Sequence, residues 1–256
     1  MIRDVWASNL EKELRIISDL IEKYPYVAMD TEFPGNIARP VGLFKTPQTL
    51  EYKSMKCNVD LLKIIQIGIS LGDSQGNVPN VVCTWQFNFK FDITSDPHLL
   101  RAINMLQKSG IDFGKFNQDG IDVYDFARLL IPSGLILNPK ITWITFHSIH
   151  DFGYLLKIIT SKPLPEHEKQ FLDTLIEYFP SFYDIKYFTS KNRDIKNGLQ
   201  GIADQYGVER VGQEHQAGSD AYVTLKVFFE LKNQVYGPSF SSLHAENKLY
   251  GVSEVK

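Results

Sequence analysis

The chain has 256 residues, 43% of them apolar, with 27 Lys and Arg against 30 Asp and Glu and a formal net charge of −3. Such a chain can bury a substantial core and is expected to fold as one domain over residues 1–256, which excludes a disordered tail. The acidic balance speaks against gripping nucleic acid by bulk charge, two cysteines exclude a disulfide scaffold, and no secretory h-region or membrane-length run is present, so an intracellular protein is expected.

In chain order, Ser8-Asn9-Leu10-Glu11 reads as a capping box, and Leu10, Leu14, Ile17 and Ile21 predict a helix that stops at Tyr24-Pro25. Tyr26 to Phe33 reads as a buried strand closed by Pro34-Gly35, with Asp30 and Glu32 near its end. Leu61 to Leu71 predicts a second strand and Val81 to Phe91 a third. Asp96-Pro97 reads as an N-cap with proline at the first helical position, leading into Leu99, Leu100, Ile103 and Leu106 before Gly110. Further helices are expected at Ile121 to Leu130, His150 to Thr160, Glu166 to Tyr178, Leu199 to Tyr206 and Ser219 to about Val235, with a strand at Thr142 to His147. This order predicts an α/β protein whose mixed central sheet is flanked by helices. Cys57 and Cys83 are expected to be buried, and Phe87, Phe89 and Phe91, which could stack bases, fit a core face better at strand spacing.

Asp30 and Glu32 are two apart on a strand, so their carboxylates share a face and Thr31 takes the other. Two anions among apolar neighbours call for a cation, although Asp-x-Glu alone also fits a solvated strand end. Asp151 stands where a strand hands over to a helix with the apolar face Phe152, Leu155, Leu156 and Ile159, and alone it reads as a first-turn acid complementing the helix dipole. His215 precedes Asp220 by five positions at the entry to another apolar helix, where Ser219 could be the cap and His215 a plain loop residue. The joint order is more telling than any one of these. Asp-x-Glu on an early strand, Asp after a later strand and His-x4-Asp opening a late helix together match the DEDD exonuclease pattern. Gln216 occupies the place of the tyrosine in its tyrosine subtype, so His215 is the better candidate base. The chemistry behind the pattern is two-metal catalysis, in which hard divalent ions take carboxylate oxygens and clamp the attacking and leaving oxygens of a phosphodiester.

Longer stretches resemble the CAF-type poly(A) deadenylases, the exonuclease subunits of the eukaryotic CCR-NOT complex. They are Ile2-Arg-Asp-Val-Trp-Ala, Tyr26-Val-Ala-Met-Asp-Thr-Glu-Phe-Pro-Gly, Asn58-Val-Asp-Leu-Leu-Lys-Ile-Ile-Gln-Ile-Gly, Thr84-Trp-Gln-Phe-Asn-Phe-Lys-Phe and His215-Gln-Ala-Gly-Ser-Asp. The resemblance runs from about Ile2 to Gly251. It implies a ribonuclease H-like fold and 3'-to-5' removal of adenylates from messenger RNA, releasing AMP. It also implies two divalent metal ions, Mg2+ or Mn2+, with Asp30, Glu32 and Asp220 holding one, Asp30 and Asp151 the other, and His215 as base. Implied partners are poly(A) RNA, the complex's helical-repeat scaffold and a leucine-rich-repeat domain of a second deadenylase subunit. Tob/BTG-type adaptors are further expected partners in animals, and no membrane is. The expected location is the cytoplasm, with the nucleus as a second.

The chain departs from the family at Ile149-His150, where Gly-Tyr is usual, and at Gln213-Glu214, where Pro-Gln is usual, without losing an expected ligand. His147 and His150 with Asp30 and Asp151 raise the alternative of Zn2+, although the acid-rich set suits oxygen-preferring ions better. Two other functions stay open at this level: a related DEDD exonuclease acting on other nucleic acids, and a non-catalytic bridging subunit.

Overall fold

Six stretches form strands in the computed structural model, which describes residues 1–253. They are β1 (Ile2–Val5), β2 (Tyr26–Glu32), β3 (Gln66–Gly72), β4 (Thr84–Asn88), β5 (Thr142–Thr145) and β6 (Phe182–Asp184). All six join one mixed sheet in the order β1-β4-β3-β2-β5-β6, in which β2–β3 and β3–β4 are antiparallel and the other pairs parallel. The helices are α1 (Leu10–Leu20), α2 (Pro47–Leu61), α3 (Leu100–Lys108), α4 (Phe113–Asp119), α5 (Val123–Leu130), α6 (Ile149–Thr160), α7 (Glu168–Tyr178), α8 (Ile185–Thr189), α9 (Leu199–Gln205) and α10 (Ala217–Glu230). Among the described residues no helix is long and apolar enough to cross a membrane.

The sheet buries both faces, and β2 shows how. Val27 and Met29 join one core with Ile17, Trp85, Phe87 and Phe152, whereas Ala28 joins a second core with Ile144, Val223, Leu225 and Phe228. The period of two therefore sends Thr31 toward the side of α6 and sends Asp30 and Glu32 toward the side of α10. Phe87, Phe89 and Phe91 are fully buried, as expected of a core face. Cys83 is buried and Cys57 half-buried, and both are free thiols.

Several local expectations are corrected. No capping box forms at Ser8, because Asn9 holds the cap position of α1 and its Oδ1 accepts from Trp6 N at 2.7 Å. Asp96 does not cap α3; it accepts from Asp92 N in a preceding turn and pairs with Lys63. Leu61 ends α2 rather than opening a strand, and β3 begins only at Gln66. That helix has little amphipathic contrast, so its Thr46-Pro47 start is the better signal: Thr46 Oγ1 accepts from Thr49 N at 3.1 Å. Ile121 bridges to Phe89, and α5 starts two residues later with Asp122 as its cap. The short edge strands β1 and β6 were too brief to show a pattern.

Candidate active site

The site lies at the end of β2, where three elements deliver acids. Asp30 faces Gly68 in the β2–β3 register, and Glu32 faces Gln66. Gly68 is required here because a Cβ on it would stand 1.9 Å from the carbonyl oxygen of Ala217. Its bare backbone lets the first turn of α10 lie against the strand pair, and that turn carries Asp220.

Strand side chains, not a conventional cap, finish this helix start. Gln216 holds the cap position without a side-chain bond to the helix. Gln66 Oε1 accepts from Ala217 N at 3.2 Å, and Gln86 Oε1 accepts from Gly218 N at 3.0 Å. The amide nitrogens of Gln66 and Gln86 in turn donate to Gln216 Oε1 at 3.1 and 2.8 Å. Buried amides satisfied on both ends fix a unique geometry, because any slip would leave one unpaired. Ser219 is therefore not the cap; its Oγ accepts from Arg210.

Burial and mutual repulsion set the charge state of the acids. Burial first, then Asp151, Asp220 and Glu32, push Asp30 well above the usual carboxylate range, with Arg210 opposing. Glu32 is likewise raised well above it, by burial and then by Asp220 and Asp151. Burial lifts Asp151 to about 7, although Thr31 opposes the rise by donating to its Oδ1 at 2.5 Å. Asp220 is raised by burial against the pull of Arg210, whose Nη1 lies 2.6 Å from its Oδ1. Asp220 Oδ2 accepts from His215 N at 3.0 Å, which brings His215 to the site with φ at +63°.

Ligand atoms of Glu32, His215 and Asp220 lie within 4.8 Å of one another, the only such metal-sized group among the described residues. Asp30 and Asp151 lie outside that triplet but are electrostatic neighbours of it. Four acids crowded in low dielectric with one guanidinium between them form a donor set that fits hard divalent ions. The zinc-like alternative is not assembled. His147 has its N–H on buried Asp184 at 2.7 Å and its ring against Tyr250, and His150 stacks on Phe33 with centroids 4.9 Å apart. Burial holds His150 down at about 4, and its Nε2 has no partner.

Arg210, Gln66 and Gln86 went unrecognised in the sequence. A glutamine within the apolar run Ile64-Ile65-Gln66-Ile67 was the available signal for one of them. An arginine ten residues before Asp220 carries no local pattern.

Residues 5–126 match the family described as CAF1 family ribonuclease. The chain is 50% identical over 251 residues to poly(A) ribonuclease pop2 of Schizosaccharomyces pombe, covering 98% of this chain and 75% of that protein. The structure of S. pombe Pop2p in its Mg2+ and Mn2+ bound form superposes with a TM-score of 0.95 at 50% identity, over 98% of this chain and 99% of that one. A structure of the yeast NOT1 MIF4G domain co-crystallised with CAF1 matches with a TM-score of 0.81 at 32% identity, over 98% of this chain and 96% of that one.

Proposed function

The chain belongs to the CAF1 ribonuclease family, with its ribonuclease H-like fold, and we propose that it is a metal-dependent 3'-to-5' poly(A) exoribonuclease acting within the CCR-NOT assembly. The observation that carries this reading is the convergence of Asp30, Glu32, Asp151 and Asp220 from three elements, with His215 beside Glu32 and Asp220. Intact acids brought together by dedicated packing at Gly68 favour an enzyme over a vestigial bridging subunit.

Asp30, Glu32 and Asp220 would hold one divalent ion and Asp30 and Asp151 the second, Mg2+ or Mn2+ as in the S. pombe relative. When bound, the ions supply Lewis-acid polarisation of the phosphodiester and offset charge on its attacking and leaving oxygens. His215 takes the proton of the water that attacks the terminal phosphodiester. The bond from phosphorus to the 3' oxygen of the penultimate nucleotide breaks, that oxygen takes a proton from solvent, and AMP leaves. Arg210 fixes the carboxylate of Asp220, and Thr31 that of Asp151, so neither has to reorient.

A helical-repeat scaffold of the NOT1 kind is a partner by likeness to the yeast complex. Docking of a leucine-rich-repeat subunit and of Tob/BTG-type adaptors, a single domain over the chain, and a cytoplasmic and nuclear location are part of the same proposal, supported by family membership. A panel of RNAs ending in A, U or C, with single-stranded DNA alongside, tests the substrate. Faster trimming of the adenylate tail is expected; equal trimming of DNA would favour a general nuclease.

A further inference from the structure

α3 has two faces. Ile103 and Leu106 dock into a small core with Ile65, Phe91 and Phe113. Arg101, Asn104, Met105 and Lys108, spaced i, i+3, i+4 and i+7, form the other stripe and are exposed. That stripe is one wall of a groove of about 560 Å³ whose opposite wall is Glu214 and His215. The walls are tied together: Ser109 Oγ donates to His215 O at 3.0 Å, Gln213 Nε2 to Lys108 O at 3.3 Å, and Gln216 Nε2 to Ser109 O at 2.8 Å. His215 lines the groove and also has a ligand atom within 4.8 Å of those of Glu32 and Asp220, so it is the residue the groove and the acid cluster share.

The charge in this groove is free for use. Neither Arg101 nor Lys108 has a side-chain partner among the described residues, in a chain of net charge −3. Seven residues of helix set their backbones ~10 Å apart on one face, a spacing that suits two phosphates along one strand. Two other depressions fit less well. The one at His147 and Tyr250 contains Glu51 and no Lys or Arg. The one beneath Tyr154 contains lysines, but Lys157 donates to the carbonyls of Val59, Asp60 and Leu62, Lys63 is paired with Asp96, and no catalytic candidate lines it.

We infer that the groove between α3 and the His215 loop is the track for the retained RNA chain, with Arg101 and Lys108 binding successive phosphates upstream of the cleaved nucleotide. Met105, exposed between them, offers an apolar surface to a base, and Glu214 keeps the track from being uniformly basic. The inference rests on the nuclease reading and adds to it an expected dependence of turnover on substrate length.

The test compares the parent chain, Arg101→Glu with Lys108→Glu, and Lys140→Glu as a remote charge control. Anisotropy with a labelled oligoadenylate of about ten residues, in chelator, measures binding without catalysis; single strands lose about 0.7 in the log–log salt slope per phosphate contact removed. The double reversal is expected to weaken binding ~10-fold or more and to flatten the slope by about 1.4, while the control keeps both. Turnover on the same oligomer and on a dinucleotide should show the gain from length falling in the double reversal, through KM rather than kcat. Parent-like binding and salt slope in the double reversal, or an equal loss on dinucleotide and oligomer, would overturn the track. A parent that binds through these residues yet cuts no RNA with Mg2+ or Mn2+ would instead overturn the nuclease reading.

Discussion

Arg210 Nη1 lies 2.6 Å from Asp220 Oδ1, and Arg210 is the one Lys or Arg paired with any of the four clustered acids among the described residues. Its guanidinium also donates to Ser219 Oγ and, through Nε, to Gln200 Oε1, so it is held as well as holding. Removing one partner of a buried pair leaves the other uncompensated, at about 3 kcal/mol. Arg210→Ala should therefore lower stability by about that much in chelator, and by less with magnesium, since bound metal takes over part of the compensation. Urea melts under both conditions check this, and an unchanged chelator melt would refute the pairing.

Gly68→Ala should hurt activity more than stability. The added Cβ meets the Ala217 carbonyl and forces the start of α10 off the sheet, at about 1–3 kcal/mol for overpacking. Asp220 and His215 move with it, and a small misplacement of reacting groups can cost about 10²-fold. Gly198→Ala, where a Cβ meets nothing within 4 Å, is the matched control and should retain parent turnover.

His215 and Asp30 should fail differently. His215→Ala is expected to lose about 10²- to 10⁴-fold in kcat while magnesium still raises the melting temperature. Asp30→Ala should lose both the activity and the magnesium-dependent rise, which for the parent is worth about 2.7 kcal/mol at a hundredfold excess over Kd. In chelator it should melt no lower than the parent, because repulsion among the remaining acids is relieved. An Asp30 variant that melts far lower in chelator would make Asp30 a structural residue.

The metal-free protein should lose stability as pH rises toward neutrality. Asp151 has its folded pKa lifted to about 7, against about 3.9 when unfolded, so its contribution is full below about pH 4 and is lost as pH climbs through about 7. His150, held down at about 4, acts in the opposite sense over part of that window, losing stability as pH falls. The difference between parent and Asp151→Asn melts in chelator cancels His150 and reports the Asp151 carboxyl together with its coupling to Asp30 and Glu32. Relative to the variant, the parent should weaken from about pH 4 to about pH 7, and a flat difference would contradict the burial argument.

Much of this site is legible in the sequence. The period of two in β2 placed Asp30 and Glu32 together, and the helix entries placed Asp151 and Asp220 in first turns, where both are found. What the chain order could not show is non-local. Gly68 matters only because α10 crosses it, and Gln66 and Gln86 only because their amides finish a helix start about 130 to 150 residues away. Cap assignments failed at Ser8 and Asp96 because other bonds competed: Asn9 takes the turn at Trp6, and Asp96 accepts from Asp92 N and pairs with the distant Lys63. The helix Pro47–Leu61 escaped periodicity because its buried residues include the polar Asn58, which anchors the backbone of Ile37 and Ala38.

The most direct test of the account is a time course on an RNA with a 3' oligoadenylate tail, with magnesium or manganese, for the parent and for Asp220→Ala. The parent should shorten the tail one nucleotide at a time and release AMP, a 3'-phosphate should block it, and the variant should be inactive. Internal fragments, or a variant that trims like the parent, would contradict the assignment of the acid cluster as the exonuclease centre.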